Sequence, residues 1–323
     1  MTRVSWSPAG HSSPLTRRLA AAAAVLLYLA LGAAYARTVP PWEAPDEPWH
    51  AAYALAVADG RLPTVDETYE FHHPPLAYAW YALGIRITRI RSLPVGDANP
   101  RYPFAAAALA HPPGDPRVGP VRFLRTWGAL LAALAVPLTF AAARAAGAGR
   151  AGGVAAAFGV ATWPQFVYTG HTVSNDGLAT VAGALLTYAL VCVLARLGPR
   201  DSPAKPAWEG TCAAPIAFVG AAVAVATKLN AAVLVPVVVV AALAAAATAR
   251  DPRRRAGAVR TAIGAVAGSI GALVVLGVVA QGAIAALAAQ ALARAGGRAT
   301  SLPPAFLADT LASLWARFGW ANV

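Results

Sequence analysis

The sequence is poor in charge and in cysteine. Only 12% of its 323 residues are Asp, Glu, Lys or Arg, whereas soluble domains are about 25% charged. The two cysteines, Cys192 and Cys212, lie at the predicted inner ends of apolar runs, where thiols stay reduced, so they provide no disulfide framework. With 58% hydrophobic residues and a mean hydropathy of +0.54, the composition excludes a cytosolic enzyme, a disordered chain and a small disulfide-stabilised scaffold.

Long apolar runs dominate the sequence. A helix needs about 20 apolar residues to cross about 30 Å of hydrocarbon, and seven runs are long enough. The sequence therefore predicts an all-α, polytopic membrane protein with spans at residues 19–36, 123–143, 151–169, 177–195, 211–228, 231–249 and 259–281. The long apolar block from 211 to 249 fits two spans that turn at Lys228-Leu229-Asn230.

These spans divide the chain. Residues 1–18 form the predicted cytoplasmic N-terminus, 37–120 a large extracytoplasmic loop, 121–281 the second to seventh spans, and 282–323 an outer-face segment. Because Ala34-Tyr35-Ala36 resembles a cleavage site, residues 19–36 are either a first transmembrane helix (an uncleaved signal anchor) or a cleaved signal peptide. Residue 37 onward lies outside in both cases.

The formal net charge of +12 is unevenly distributed. Nine of the fourteen acids lie in residues 37–120, whereas arginines crowd short connectors such as residues 250–255. Basic residues in short loops stay cytoplasmic, which predicts that residues 37–120 lie on the outer face of the membrane. A basic excess distributed in this way indicates a membrane partner and no nucleic acid.

Two segments of the outer loop have the composition of interfacial helices. Residues 48–58 are rich in apolar side chains, and residues 75–90 are rich in Trp and Tyr and include Arg86 and Arg89 near their end. Aromatic side chains favour the membrane–water boundary, so these segments are predicted to lie along the outer leaflet. A span at 75–90 would instead put ten basic residues of the later connectors outside.

A pair of acids follows the first apolar run. Asp46 and Glu47 stand between prolines, and His50 comes three residues later. Proline fixes its own backbone and restricts its neighbour, so both carboxylates have defined directions. A carboxylate can take a proton from an attacking hydroxyl, and its neighbour or His50 can orient it or bind a divalent ion. The alternative is a solvated acidic turn.

Further polar groups are predicted on the same membrane face. His73, before Pro74-Pro75, either lines a site or is an ordinary loop histidine. Asn175 and Asp176 open the span at 177, either as part of a site or as a helix cap.

Two basic residues are candidates for contact with phosphate. Lys228, one of two lysines against 24 arginines, lies between two apolar runs. An ionisable group near the membrane is functional by default because its burial is costly, and an ammonium serves as a point charge for phosphate; snorkelling to the surface is the alternative. Arg317, within the aromatic segment 315–320, is an interfacial anchor or a phosphate contact.

Carboxylates, histidines and a lysine on one side of the bilayer suit a reaction between a membrane-anchored phosphate ester and a hydroxyl. A base activates the acceptor while cations stabilise the departing phosphate. A transporter or flippase is a rival interpretation, but broken helices and charges at mid-bilayer are typical of that class, whereas the acids here cluster in the outer loop.

These residues resemble motifs of the GT-C superfamily of lipid-carrier-dependent glycosyltransferases, which includes protein O-mannosyltransferases and aminoarabinose transferases. The matching segments are Pro45-Asp46-Glu47 with His50, His73-Pro74-Pro75-Leu76, Ser174-Asn175-Asp176 and Thr227-Lys228-Leu229. A group of bacterial membrane proteins with a P-D-E-x-x-H box and a terminal F-G-W segment, here Phe318-Gly319-Trp320, is similar as well.

The resemblance implies transfer of a sugar, with inversion, from a polyprenyl-phosphate donor to an acceptor hydroxyl of a cell-envelope glycan, lipid or protein. It implies Asp46 as the general base, Glu47 and Asp176 as its helpers or as ligands of a divalent cation (Mg²⁺ or Mn²⁺), and Lys228 near the donor phosphate. His50, His73, Asn175 and Arg317 are the remaining candidate substrate-binding residues. Members usually have more spans, so a truncated, non-catalytic protein is a further alternative.

The predicted topology can be tested by thiol labelling in a variant whose two native cysteines are replaced by serine. A membrane-impermeant maleimide should label Asp66→Cys in intact cells, but Arg254→Cys only after permeabilisation, because basic connectors stay inside. Labelling of position 254 in intact cells would invert the topology.

Overall fold

The computed structural model describes residues 14–64, 66–93, 115–195 and 213–279, and the regular structure in these segments is helical. Short 3₁₀ helices occur at Tyr69–His72, Pro116–Val118 and Leu229–Val233. The α-helices are α1 (Pro14–Thr38), α2 (Glu47–Ala58), α3 (Leu76–Thr88), α4 (Gly119–Ala132), α5 (Ala135–Ala145), α6 (Gly149–Ala161), α7 (Pro164–Gly170), α8 (Asp176–Ala195), α9 (Ala213–Thr227), α10 (Leu234–Thr248) and α11 (Pro252–Val279).

Five helical segments of the described chain are long and apolar enough to cross a membrane. They are Leu19–Thr38, Gly119–Ala145, Asp176–Ala195, Leu229–Thr248 and Pro252–Val279. They coincide with the first, second, fourth, sixth and seventh predicted spans, so the multi-pass helical architecture is confirmed. The count of seven is not confirmed.

One predicted span is interrupted in the structure, and another is described only in part. The span at 151–169 is broken between α6 and α7, where Trp163 is extended (φ −68°, ψ 113°) before Pro164, because the residue before proline avoids the helical region. Of the span predicted at 211–228 the structure describes residues from 213 onward, where α9 accounts for 15 apolar-rich residues.

The helices from α8 onward alternate in direction. Cys192, near the end of α8, shares an apolar cluster with Ala213 at the start of α9. Val193 likewise packs with Ala245 of α10 and Ala258 of α11. The opposite end of this bundle therefore brings the start of α8 to the end of α9, where the chain leaves helical geometry at Lys228 as predicted.

The predicted interfacial segments form α2 and α3, which pack on each other, and α3 also packs on α4. The indoles of Trp80 and Trp127 stack with centroids 4.6 Å apart. Each indole N–H donates to the other residue's backbone carbonyl, at 2.9 and 2.8 Å. The outer-loop helices are thus fixed to a membrane-spanning segment; their position at the lipid boundary stays a prediction.

Close packing of α11 on α9 makes a matched pair of glycines informative. A Cβ on Gly268 would collide with the backbone carbonyl of Phe218, whereas a Cβ on Gly271 meets nothing within 4 Å. We expect Gly268→Ala to lower the free energy of unfolding by roughly 1–3 kcal/mol through overpacking. Gly271→Ala should be neutral or stabilising because alanine is the better helix former. Thermal unfolding of the purified protein in detergent compares the two, and equal melting temperatures would contradict the packing described.

Candidate functional site

Asp46 lies in a strained turn directly before α2. It occupies the N-cap position with φ 57° and ψ 2°, and Trp42 in the same turn has φ 67°. Residues other than glycine rarely adopt this left-handed conformation, which costs roughly 1–3 kcal/mol and persists only where the surroundings hold it. The side chain of Asp46 makes no capping hydrogen bond and is exposed, so its carboxylate is accessible.

The neighbouring acid, Glu47, is in the opposite situation. It is fully buried and faces the buried guanidinium of Arg125 in α4. Arg125 Nε lies 2.7 Å from Glu47 Oε1 and Nη2 lies 2.6 Å from Oε2, a bidentate ion pair. The backbone N–H groups of Val173 and Trp42 also donate to Glu47, at 3.0 and 3.3 Å. Both carboxylate oxygens are therefore occupied by donors of the protein.

Arg125 also binds the chain that leads into the acidic turn. Its Nη1 donates to the carbonyls of Val39 (2.6 Å) and Ala36 (3.4 Å), and its Nη2 donates to that of Pro40 (3.0 Å). One buried guanidinium thus connects α4, the end of α1 and the start of α2, which accounts for how the strained turn is held.

The segment before α8 is fixed to the same framework. The hydroxyl of Tyr81 in α3 donates to the carbonyl of Thr172 at 3.2 Å and accepts from the backbone N–H of Ser174 at 3.3 Å. Together with the bond from Val173 to Glu47, these contacts position the segment that leads directly into Asp176.

Asp176 forms an ion pair with Lys228. The Nζ atom of Lys228 lies 2.6 Å from Oδ1 of Asp176, and both side chains are partly exposed. The residues that precede them, Asn175 and Thr227, are fully buried, and within the described chain their side chains have no hydrogen-bond partner. Buried polar groups without partners are rare and indicate a water or ligand nearby.

A cluster of histidines and tyrosines lies between α2 and α3. Nδ1 of His50 is 2.8 Å from the hydroxyl of Tyr78, and Tyr78 stacks on Tyr53 with centroids 3.7 Å apart. The Tyr53 hydroxyl donates to the carbonyl of His73 at 2.9 Å. Nε2 of His73 in turn lies 2.6 Å from Oε2 of Glu70.

Burial determines the charge states in this cluster. It lowers the pKa of His50 to about 4, so this imidazole is neutral near pH 7. Burial also tends to raise the pKa of Glu70, but the hydrogen bond with His73 and the nearby histidines outweigh it, and the pKa falls below its usual value. Glu70 is therefore an ionised acceptor beside His73.

Asp46 interacts electrostatically with charged groups from the other parts of the site. Its pKa is raised, first because partial burial disfavours the charged form and next because Glu70 is negative. Asp176 raises this pKa further, while Lys228 and His73 lower it. The structure thus brings Asp46 within electrostatic reach of His73, Asp176 and Lys228, although they are far apart in sequence. His50 joins them, with its ring centroid 6.2 Å from that of His73.

One predicted site residue is placed differently, and another is not described. Glu47 faces Arg125 and the backbone of the framework, and Arg317 lies outside the described residues. The roles predicted for both stay predictions. Sequence reasoning missed Arg125 and Tyr78; the only signal for Arg125 was a charged residue inside a predicted span, which indicates a functional partner.

Of the three predicted metal ligands, Glu47 and Asp176 each form an ion pair in the structure, and Asp46 is exposed. A metal role for the three stays a prediction. Within the described segments, ligand atoms of Glu70, His72 and His73 all lie within 4.8 Å of one another. A mixed imidazole and carboxylate set suits Mn²⁺ or Zn²⁺ better than Mg²⁺, which prefers oxygen ligands.

An apolar groove of about 800 Å³ runs along α9 and α11 toward this region. It is lined by residues of α9 between 218 and 226, of α11 between 268 and 279, and by residues near the end of α2 and the start of α3. Ala226 and Pro75, which line it, are near neighbours in sequence of Lys228 and His73. A hydrocarbon chain in the groove would therefore have its head group near the polar cluster.

Comparison with known families identifies one match. A family model described as dolichyl-phosphate-mannose-protein mannosyltransferase matches residues 66–289, more than half of the chain. The matched range includes His73, Asn175, Asp176 and Lys228 and begins after Asp46, Glu47 and His50. No curated protein and no solved structure matches the chain.

The buried pair and an exposed pair allow a matched stability test. Glu47→Gln leaves the Arg125 charge buried without its counterion, which we expect to lower the free energy of unfolding by roughly 3–5 kcal/mol. Glu67→Gln breaks the exposed pair with Arg61 and should leave the melting temperature unchanged, because solvent screens such pairs. Thermal unfolding of both purified variants measures this, and similar shifts for the two would rule out a special role for the buried pair.

Proposed function

The chain belongs to the dolichyl-phosphate-mannose-protein mannosyltransferase family, a family of GT-C glycosyltransferases with lipid-linked donors, and on that premise we propose a specific mechanism for its site. The proposed reaction is transfer of a mannosyl group, with inversion, from a polyprenyl-phosphate donor to an acceptor hydroxyl. The observation that carries the proposal is the convergence of Asp46, His73, Asp176 and Lys228 on one site.

Asp46 is the proposed general base. It is exposed, its carboxylate is free of any capping bond, and its raised pKa strengthens it as a base. The acceptor oxygen attacks the anomeric carbon and loses its proton to Asp46. The bond between the anomeric carbon and the phosphate oxygen breaks, and its electron pair leaves with the polyprenyl phosphate.

Lys228 is the proposed partner of the donor phosphate. Asp176 holds its ammonium in place through the 2.6 Å contact, while Lys228 retains further N–H donors for phosphate oxygens. Asn175 and Thr227, buried without partners beside this pair within the described chain, supply additional donors for the donor's head group. A fixed positive charge at the leaving oxygen lowers the barrier to its departure.

The apolar groove between α9 and α11 is the proposed binding site of the polyprenyl chain. Most of its lining residues are alanine, glycine, valine or leucine. Such an apolar surface can bind an isoprenoid chain without burying polar groups that lack hydrogen-bond partners. His50 and the Tyr53–Tyr78 stack are buried, and we assign them a positioning role, because the Tyr53 hydroxyl donates to the backbone carbonyl of His73.

Glu47 acts in this proposal as a positioning residue. Its contacts are with Arg125 and backbone N–H groups, so it holds the turn of Asp46 and the segment before Asp176. If a divalent cation takes part, Glu70, His72 and His73 are the residues whose donor atoms converge to hold it. Bound there, it would add positive charge beside the phosphate.

The proposed setting is the plasma membrane of a bacterial cell, with the site on the outer face. The distribution of acids and arginines supports this orientation. A cell-envelope glycan, lipid or protein is the proposed acceptor, since these are the hydroxyl-bearing molecules on that side.

Asp46→Asn tests the assigned base. We expect at least a 100-fold loss of mannosyl transfer from polyprenyl-phospho-mannose, because a positioned base contributes about 10²–10⁴ in rate. Transfer of radiolabelled mannose in isolated membranes measures it, with the protein level followed by immunoblot. The matched control is Asp66→Asn, an exposed acid of the same loop, which should retain full activity. Undiminished transfer by Asp46→Asn would reject the assignment.

A further inference from the structure

A second polar cavity lies at the far ends of α2 and α3. It has a volume of about 710 Å³, and its charged lining residues are Asp59, Arg61, Glu67, Arg86, Arg89 and Arg91. Four guanidinium groups against two carboxylates make it basic. Arg61 also lines the apolar groove proposed for the polyprenyl chain, but none of these residues is in the polar cluster of Asp46, His73, Asp176 and Lys228.

Two of the four arginines, Arg61 and Arg86, make hydrogen bonds within the protein. Arg61 Nη1 donates to Glu67 Oε2 at 2.7 Å, and the backbone N–H of Thr64 donates to the same oxygen at 2.8 Å. Arg86 Nε donates to the carbonyl of Ala58 at 2.7 Å, which fastens α3 to the end of α2. These contacts account for Arg61 and Arg86 as structural residues.

Arg89 and Arg91 are not accounted for in this way. Both are exposed, and among the described residues neither side chain has a hydrogen bond or an ion pair. Arg89 follows α3 in the left-handed conformation, with φ 57° and ψ 33°, which is how helices commonly end. One cation suffices to complement a helix C-terminus, and Arg86 already supplies it.

From this geometry we infer that the basic cavity binds a phosphate group, held chiefly by Arg89 and Arg91. Planar guanidinium groups donate to phosphate oxygens in pairs, and these two arginines, which line the cavity without partners among the described residues, can bind one phosphate. The site lies apart from Lys228, so it is distinct from the proposed donor phosphate site.

The neighbouring surface favours the head group of an anionic membrane lipid as the source of that phosphate. Arg61 lines both the basic cavity and the apolar groove, so a polar and a hydrocarbon-binding surface are continuous there. The sequence of α3 also predicts that it lies along the outer leaflet. Basic residues at that level attract anionic lipids.

The test uses the purified full chain in detergent and the double variant Arg89→Gln/Arg91→Gln. Native mass spectrometry measures binding of phosphatidylglycerol and of phosphatidylcholine, and calorimetry measures binding of inorganic phosphate. We expect the dissociation constant for phosphatidylglycerol to rise about tenfold or more, with phosphatidylcholine binding unchanged. Arg89→Lys/Arg91→Lys keeps the charges but loses the paired guanidinium donors, so its affinity should lie between those of the unmodified protein and the glutamine variant. The melting temperatures of both variants should equal that of the unmodified protein, since the altered side chains are exposed.

The two arms distinguish the sources of phosphate. Loss confined to phosphatidylglycerol assigns the cavity to a lipid head group, and loss of inorganic phosphate binding assigns it to a soluble phosphate compound. Equal binding by the unmodified protein and the glutamine variant in both arms overturns the inference. Sugar transfer is not the readout, so the result is independent of the proposed catalytic mechanism.

Discussion

The buried ion pair between Glu47 and Arg125 is the contact on which the arrangement of the site depends. Removing two charges from water is costly, and the attraction compensates only when the remaining donors and acceptors are also satisfied. Here they are, because Arg125 binds three carbonyls of residues 36–40 and Glu47 accepts from two backbone N–H groups. The pair therefore fixes the strained turn of Asp46 relative to the segment before Asp176.

Much of the site was predictable because helix direction determines which chain ends meet. Asp176 begins one helix and Lys228 follows the end of the next, so alternation places them on one face, and the structure joins them in an ion pair. The different environments of Asp46, which is exposed, and Glu47, which is buried, were not predictable. Both acids sit in the same proline-rich motif, and only the partner in α4, 78 residues from Glu47, makes one buried and leaves the other accessible.

The fold was predictable in kind but not in the number of crossings. Hydropathy over residues 151–169 is uniform enough to suggest one helix, yet Pro164 divides it into α6 and α7. The conformational restriction before proline outweighs the apolar pattern there. The aromatic segment at 75–90 was predicted as a helix and is one, but its attachment through Trp80 to Trp127 arises from tertiary packing, which a local pattern does not encode.

The spacing of the ion pairs along the chain has a consequence for biosynthesis. A ribosome delivers Glu47 78 residues before Arg125 and Asp176 52 residues before Lys228, so in both cases the anion emerges first. Arg125 thus enters the translocon when its counterion has already been synthesised, which eases the insertion of a charged residue with α4. The cation beside Asp176 comes last, so a nascent chain arrested between these two residues has the Glu47 framework but lacks the charge that balances Asp176.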